Sequence, residues 1–290
     1  MIKALVARRQ DVVRSRRPAA FGSDVSMVCS GVHTEEPEYQ RWLPALGQPS
    51  GRHRKVWEWC YMLQQLDERH LLRGGVKALG FGVGSEPIVA ALAVRGVEVL
   101  ATDQPAFQAG AWRESGQHAS AIDDLRRPDL CPSEVFDAHV AFREVDMRAI
   151  PADLVDFDVA WSSCCFEHLG SPDLGFDFVV DSMATLRPGG VAVHTTEIDC
   201  GSGGGLLETG TVTGGDYVCF YRVRDLQRLV RRLRRSGHLV DCNFHVSNTH
   251  PLERDVDEPP YSHDPHLRLR VADRVVTSFG LVITKPPVGR

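Results

Sequence analysis

Five short runs of β-forming residues alternate with helix-length segments between residues 76 and 198, and this alternation constrains the fold more than any other feature. The runs are VKALGF (76–81), VEVLAT (97–102), VAFREV (140–145), FDVAWS (157–162) and GVAVHTTEI (190–198). Strands joined by helix-length connections form parallel sheets with helices on both faces. The alternation therefore predicts an α/β protein with a doubly wound, Rossmann-like, mostly parallel sheet.

The position of the first run suggests a division of the chain. We expect residues 76–290 to form one Rossmann-like domain, with further strands at 238–246 and 275–283. Residues 1–75 contain an amphipathic helical pattern over 54–72, so we expect a helical cap or arm that covers the sheet edge or the ligand crevice.

Three other features of the sequence bear on fold and function. The Gly-rich stretch from 199 to 215 is expected to be a loop. A formal net charge of -5 gives no broad attraction for nucleic acid or an anionic membrane, so we expect neither as a partner and favour a small-molecule substrate. The eight cysteines contain no CxxC pair, which favours reduced thiols and a cytoplasmic location.

The stretch GFGVGSEP, residues 80–87, places Gly80, Gly82 and Gly84 directly after the first predicted strand. In an open parallel sheet, this strand-to-helix turn faces the ligand crevice, and a Cβ there would block close approach of a ligand. The stretch therefore predicts a ligand-binding loop. The alternative is a tight turn that is rich in glycine for packing reasons alone.

An acidic residue ends the second predicted strand. Asp103 lies where a carboxylate can accept hydrogen bonds from both hydroxyls of a ribose, which indicates a nucleoside-containing ligand. The nicotinamide-dinucleotide pattern is GxGxxG, but here Gly84 comes one residue early and Glu86 follows. A glutamate beside a helix N-terminus repels a pyrophosphate and not a cationic sulfonium, which favours S-adenosylmethionine over NAD.

These residues resemble the class I S-adenosylmethionine-dependent methyltransferases over about residues 76–198. The resemblance is carried by the GxGxG loop, the acid at 103, VDM (145–147), FDVAWSSCCFEHLG (157–170) and LRPGGVAVHTTE (186–197). It implies S-adenosylmethionine as the cofactor, with the glycine loop under the methionine moiety and Asp103 on the ribose.

Further roles follow from the same resemblance. Asp146 would accept from the adenine amino group, and the Met147 amide would contact the adenine ring. Ser162 and its neighbours would approach the methionine end of the cofactor. Where many members of the family carry an acidic residue before the glycine loop, this chain has Leu79, so the methionine ammonium group would need another partner such as Glu86.

A second resemblance is to bacterial methyltransferases that act on sugars, including those that modify methylated mannose polysaccharides. It is carried by SSCCFEHLGS (162–171), VAVHTTE (191–197), a Gly/Thr-rich loop, and PPYSHDPHLRL before VVTSFGLVI (259–283). It implies O-methylation of a sugar or oligosaccharide acceptor.

A hydroxyl acceptor needs a base or a cation, because its pKa is high. The catalytic candidates are Glu167 and His168 in the loop after the fourth strand and Glu197 near the end of the fifth; His194 is more typical of a core histidine. Mg²⁺ is a further possibility, with Glu197 and Asp199 as candidate ligands.

The sequence thus predicts a cytoplasmic S-adenosylmethionine-dependent O-methyltransferase acting on a small molecule or oligosaccharide. Two alternatives stay open at this point. One is a nicotinamide-dependent oxidoreductase, and the other is a catalytically silent nucleoside-binding protein of the same fold.

Overall fold

The structure, a computed structural model, describes residues 15–108, 110, 112, 116–201, 210–213, 216–261 and 264–287. Residues 1–14 of the expected N-terminal arm, much of the Gly-rich stretch and residues 262–263 lie outside this part of the chain.

The described residues form the following regular elements. The strands are β1 (Ser26–Val28), β2 (Lys77–Phe81), β3 (Glu98–Asp103), β4 (Val140–Glu144), β5 (Phe157–Ser163), β6 (Leu186–Asp199), β7 (Gly210–Thr213), β8 (Asp216–Cys219), β9 (Cys242–Asn243), β10 (Val256–Asp257), β11 (Arg268–Val271) and β12 (Arg274–Thr284). The helices are α1 (Pro37–Gln40), α2 (Arg54–Asp67), α3 (Ile88–Ala93), α4 (Ser133–His139), α5 (Pro172–Ser182), α6 (Val223–Arg235) and α7 (Pro251–Arg254).

One sheet organises the molecule. Its strands follow the order β10, β11, β12, β6, β5, β2, β3, β4; in addition β1 pairs with β12, and β9 pairs with β1. The five strands from β4 to β6 are parallel, and β12 runs antiparallel to β6. The strand order reverses between β2 and β5, which opens a crevice at their carboxyl ends. The predicted doubly wound, mostly parallel α/β fold is confirmed.

Helices cover both faces of this sheet. On one face α3, whose six residues are all buried, packs with α2 and α4 against the apolar side chains of β2 and β3. On the other face α5 and α6 pack against β5, β6 and β12. The buried residues of α6 include Leu226, Leu229, Val230 and Leu233, the spacing that places apolar side chains on one side of a helix.

The N-terminal part is more closely joined to the sheet than a covering arm would be. Strand β1 pairs antiparallel with β12, so this part adds a strand as well as helices. Helix α2 lies against β12 and β6. Its Tyr61 ring is so near Gly280 of β12 that a Cβ there would lie 2.3 Å from the Tyr61 ring edge. Glycine at 280 therefore lets α2 approach the sheet.

Two local predictions were wrong. Residues 210–213, within the stretch expected to be a loop, form β7 and pair with β8, because the β-branched residues of this short run favour a strand despite the glycine-rich surroundings. In the stretch 238–246 the strand is limited to β9, which pairs with β1 alone.

Candidate functional site

A cleft of about 330 Å³ opens at the carboxyl ends of β2 and β5, at the point where the strand order reverses. Of the residues predicted from the sequence, the structure brings these to its wall: Gly82, Gly84, Glu86, Asp103, Asp146, Met147 and His168. The other candidates, Gly80, Ser162, Glu167, Glu197 and Asp199, are not among its described lining residues.

The turn after β2 requires glycine at two positions. Gly82 and Gly84 have backbone φ angles of 57° and 51°, which glycine adopts without strain. A Cβ on Gly84 would lie 2.4 Å from the Gln117 carbonyl oxygen. Gly80 is different, because it lies within β2 and a Cβ there would lie 2.3 Å from the Trp161 ring. Its missing side chain lets the Trp161 ring of β5 pack against β2.

Asp103 ends β3 and faces the glycine turn. Its Oδ2 accepts hydrogen bonds from the backbone N–H groups of Gly84 (3.0 Å) and Ala119 (3.2 Å), and its Oδ1 accepts from that of Gln104 (2.8 Å). Burial raises the pKa of this carboxyl group, and the three N–H groups oppose that shift. Asp103 therefore fixes the shape of the turn. Its Oδ2 already accepts two N–H groups, whereas Oδ1 accepts one and keeps lone-pair capacity for a ligand.

His118 extends the wall beside this acid. Its Nε2–H donates to the Gln104 carbonyl oxygen at 2.8 Å, so Nδ1 is the acceptor nitrogen. Nδ1 is buried and has no hydrogen-bond partner among the described residues. A buried acceptor without a donor is unfavourable, so a ligand hydroxyl or amino group at this place would be stabilising.

Asp146 and Met147 follow β4 and lie on the next part of the wall. The Asp146 carboxylate accepts from the Arg148 backbone N–H (2.9 Å) and from its guanidinium, with Nη2 at 2.8 Å. These hydrogen bonds lower the Asp146 pKa. The acid is therefore ionised at neutral pH.

At the end of β5 it is a neighbour of Ser162, and not Ser162 itself, that lines the cleft. Ser162 is buried on the opposite side of the strand, where its hydroxyl meets His194 Nδ1 at 2.8 Å. His194 is a core histidine, and burial lowers its pKa to about 3. Because strand side chains alternate, Ser163 is the residue that reaches the cleft.

Helix α2 supplies a lining residue that the sequence did not reveal. Lys55 Nζ lies 2.7 Å from Glu86 Oε1 and 3.2 Å from Ser163 Oγ. Burial raises the Glu86 pKa, and the neighbouring ammonium group opposes the shift. Glu86 Oε2 is buried without a partner among the described residues. The N-terminal part of the chain thus forms part of the cleft.

Glu58, one turn further along α2, is fully buried beneath this wall. Its oxygens accept from the Arg54 guanidinium (3.0 Å) and Cys164 Sγ (3.1 Å), and from the hydroxyls of Ser163 (3.2 Å), Thr195 (3.1 Å) and Ser278. Burial acts to raise the Glu58 pKa, but Lys55 and Arg54 outweigh it and lower the pKa to about 2. A buried charge of this kind needs this many partners.

His168 is the catalytic candidate that lines the cleft. It lies in a short 3₁₀ turn, Phe166–His168, directly after β5. Its Nδ1 is 3.1 Å from the Tyr217 carbonyl oxygen, so Nδ1–H donates there and Nε2 is left as the basic nitrogen. Burial lowers the His168 pKa, which keeps the ring neutral at pH 7. The Trp112 ring stands edge-on to it, with centroids 4.7 Å apart.

Glu167 is buried behind the cleft wall. One carboxylate oxygen accepts from Thr196 Oγ1 at 3.0 Å, and the other has no partner among the described residues. Burial and then the charge of Glu197 raise the Glu167 pKa to about 8. The group is therefore mostly protonated at neutral pH.

Glu197 pairs with the Arg54 guanidinium, and the side chains are 9% and 12% exposed, respectively. Asp199 pairs with Arg274 Nη1 at 2.9 Å and accepts from the Gly201 N–H at 2.8 Å. Both carboxylates suggested for Mg²⁺ are thus held by arginines. The described residues contain no group of three His, Cys, Asp or Glu placed to hold a metal ion. The donor set does not fit the cation.

Comparison with known proteins gives limited similarity, and no family model matches the chain. The malonyl-[acyl-carrier protein] O-methyltransferase of Salmonella typhimurium is 36% identical over 85 residues, which cover 29% of this chain and 32% of the relative. The match therefore spans about a third of that relative's length.

Solved structures with a similar fold include an S-adenosylmethionine-dependent methyltransferase from Methanosarcina mazei (TM-score 0.46, 13% identity, 76% of this chain and 96% of that one). Another is the Burkholderia thailandensis 1,6-didemethyltoxoflavin-N1-methyltransferase with bound S-adenosylhomocysteine (TM-score 0.42, 17% identity, 75% of this chain and 74% of that one). Such TM-scores do not establish an activity.

No helix in the described part of the chain has the length and apolar character to cross a membrane. The fold class of the chain is given by the order of its strands and by the cleft at the point where that order reverses. The chain is a doubly wound, Rossmann-like α/β protein.

Proposed function

We propose that this protein is an S-adenosylmethionine-dependent O-methyltransferase whose acceptor is a hydroxyl group of a small molecule, such as a sugar or an oligosaccharide. The observation that carries the proposal is the cleft itself, where a bare glycine turn faces Asp103 and is followed by Glu86, an acid that disfavours a pyrophosphate. The partial match to an O-methyltransferase is consistent with it.

The charges on the wall support a cationic ligand. Among the described lining residues, three carboxylates (Glu86, Asp103, Asp146) outnumber two cations (Lys55, Arg148). This excess of negative charge favours a sulfonium over a pyrophosphate. S-adenosylmethionine also carries amino and hydroxyl donors, which suit the acceptors on this wall.

In this proposal different residues of the cleft wall contact different parts of S-adenosylmethionine. The turn at Gly82 and Gly84 lets the methionine moiety approach the backbone. Asp103 accepts from the ribose hydroxyls, Asp146 accepts from the adenine amino group, and the Met147 backbone N–H contacts the adenine ring. These assignments follow the family resemblance and the places of the residues on one continuous wall.

His168 is the base in this proposal. When bound, S-adenosylmethionine supplies an activated methyl group for in-line displacement, which leaves a neutral thioether. His168 Nε2 takes the proton of the acceptor hydroxyl as its oxygen forms the new bond to carbon. Nδ1–H, donating to the Tyr217 carbonyl, fixes the required tautomer. The charge of Glu197 favours the imidazolium that results.

The experiment has a binding arm and a product arm. Calorimetric titration should show binding of S-adenosylhomocysteine and none of NAD. Incubation with methyl-labelled S-adenosylmethionine and a panel of glycans and small hydroxyl compounds should give a methylated product by mass spectrometry. Binding of NAD alone would overturn the proposal in favour of an oxidoreductase. Cofactor binding with no product from any acceptor would favour a silent nucleoside-binding protein.

A further inference from the structure

The ion pair of Lys55 and Glu86 joins two parts of the chain at the cleft wall. Lys55 is in the first turn of α2, before the Rossmann-like part, and Glu86 follows the glycine turn. Their side chains are 22% and 17% exposed, so the pair is largely shielded from water and yet borders the cleft.

The pair lies at a defined end of the cleft. Ser163, the last residue of β5, contacts both partners, with its hydroxyl 3.1 Å from Glu86 Oε1 and 3.2 Å from Lys55 Nζ. The glycine turn at the end of β2 lies beside this strand end. The pair is therefore at the reversal point itself, away from Asp146 at the end of the β4 side of the cleft.

The pair still has hydrogen-bonding capacity. The Lys55 ammonium group makes two good hydrogen bonds, to Glu86 and Ser163, and its contacts with the Ser163 carbonyl oxygen and Glu58 are both at 3.4 Å, near the limit for a hydrogen bond. Glu86 Oε2 has no partner among the described residues. Rotation about the last bond of a glutamate is soft, so either oxygen can turn towards a ligand.

Glu58, unlike Lys55 and Glu86, has no spare hydrogen-bonding capacity for a ligand. Its oxygens are already bonded to the hydroxyl, thiol and guanidinium groups described above, and it is fully buried. It provides the fixed negative charge that keeps Lys55 protonated against burial; Glu86 adds to this effect. Glu58 is thus a positioning residue beneath the pair.

We propose that the ion pair of Lys55 and Glu86 recognises the amino-acid end of S-adenosylmethionine, with Glu86 on its ammonium group and Lys55 on its carboxylate. This inference rests on the function proposed above. A matched ion pair is complementary to a ligand end that carries both charges, and binding exchanges one ion pair for two. It explains how the chain compensates for an apolar Leu79 before the glycine turn.

A consequence is that the Rossmann-like part is incomplete without α2. The helix begins at Arg54 and is capped by His53, whose Nδ1 accepts from the Lys55 backbone N–H at 3.0 Å. This cap holds the first turn, and with it the Lys55 side chain, against the end of β5.

The test compares ligands that do and do not have the amino-acid end. The full-length wild type, K55M, E86Q and the charge-preserving K55R are titrated by calorimetry with S-adenosylhomocysteine and with 5′-methylthioadenosine, which has the nucleoside but no amino-acid end. K55M and E86Q should each weaken S-adenosylhomocysteine binding about tenfold to a hundredfold, the size expected for a charged hydrogen bond. Methylthioadenosine affinity should change by less than about twofold. K55R should keep much of the S-adenosylhomocysteine affinity that K55M loses.

The outcomes separate this inference from the proposed function. Equal loss for both ligands, or unchanged affinity for both in E86Q, would overturn the role of the pair while the cofactor assignment stands. A wild type that binds neither ligand would overturn both. E86Q keeps the shape of the side chain and a hydrogen bond to Lys55, so it remains informative if K55M does not fold.

Discussion

Arg54, the first residue of α2, forms an ion pair with Glu197 near the carboxyl end of β6, 143 residues further along the chain. The same guanidinium also donates to Glu58 at 3.0 Å. One side chain therefore ties the N-terminal helix both to the fifth parallel strand and to the buried carboxylate under the cleft. The stability of the cleft wall depends on this link.

We predict that E197Q lowers the free energy of unfolding by about 2–3 kcal/mol. Removing one partner of a largely buried pair leaves the other charge poorly compensated, and Arg54 would keep only Glu58 as an anionic partner. Urea unfolding followed by circular dichroism measures the change. The matched control is D153N, which breaks the exposed pair with Arg143 and should change stability by less than about 0.5 kcal/mol. Equal effects in the two variants would contradict the prediction.

The fold was predictable because it depends on local signals that repeat along the chain. All five β-forming runs became parallel strands, since each is a short β-rich run bounded by glycine, proline or polar residues. The pairing of β1 with β12 was not predictable, because Met27 and Gly280 meet across most of the length of the chain. A three-residue strand has no periodic signal of its own.

The cleft was predicted only in part. Gly82, Gly84 and Asp103 sit at strand ends, where sequence position and place in the fold coincide. Lys55 was missed because its place depends on how α2 packs on the sheet. For Ser163 the signal was available, since alternation along β5 assigns Ser162 and Ser163 to opposite faces.

The buried acid Glu167 should give the protein a characteristic pH dependence. Its pKa is about 8 when folded, against an ordinary value of 4.5. Between these values the folded state binds a proton that the unfolded state releases, so stability falls as pH rises, by about 1.4 kcal/mol per unit at most. Compared with wild type, E167Q should be relatively more stable at pH 8 than at pH 5. Urea unfolding of both proteins at several pH values measures the difference. A constant difference would contradict the raised pKa.

His168 provides a prediction about rate. H168Q should lower the methyl-transfer rate about a hundredfold or more, the usual contribution of a general base. S-adenosylhomocysteine affinity should stay within about threefold, because the proposed role of His168 is towards the acceptor hydroxyl and not towards the cofactor. Because burial lowers the pKa below 6.5, the wild-type rate should hold down to pH values under 6.5 and fall only in more acidic buffer. A rate unchanged in H168Q would assign the base elsewhere.

Metal dependence is testable by chelation. Glu197 and Asp199 are paired with Arg54 and Arg274, so we expect the methyl-transfer rate to be unchanged by EDTA and by added Mg²⁺. The control is the same assay after dialysis against chelator, followed by Mg²⁺ alone. A rate lost on chelation and restored by Mg²⁺ would show that a cation site forms with residues beyond those described.

Asp103 should affect both nucleoside ligands alike. D103N replaces an oxygen that accepts backbone N–H groups with an amide that donates, so the turn at Gly84 and the ribose contact are weakened together. We expect about a tenfold or larger loss of affinity for S-adenosylhomocysteine and for methylthioadenosine, measured by calorimetry. This differs from E86Q, for which only the ligand with an amino-acid end should bind more weakly. Asp103 is assigned to the ribose, which both ligands contain. Weaker binding of only one of them in D103N would therefore contradict the ribose assignment.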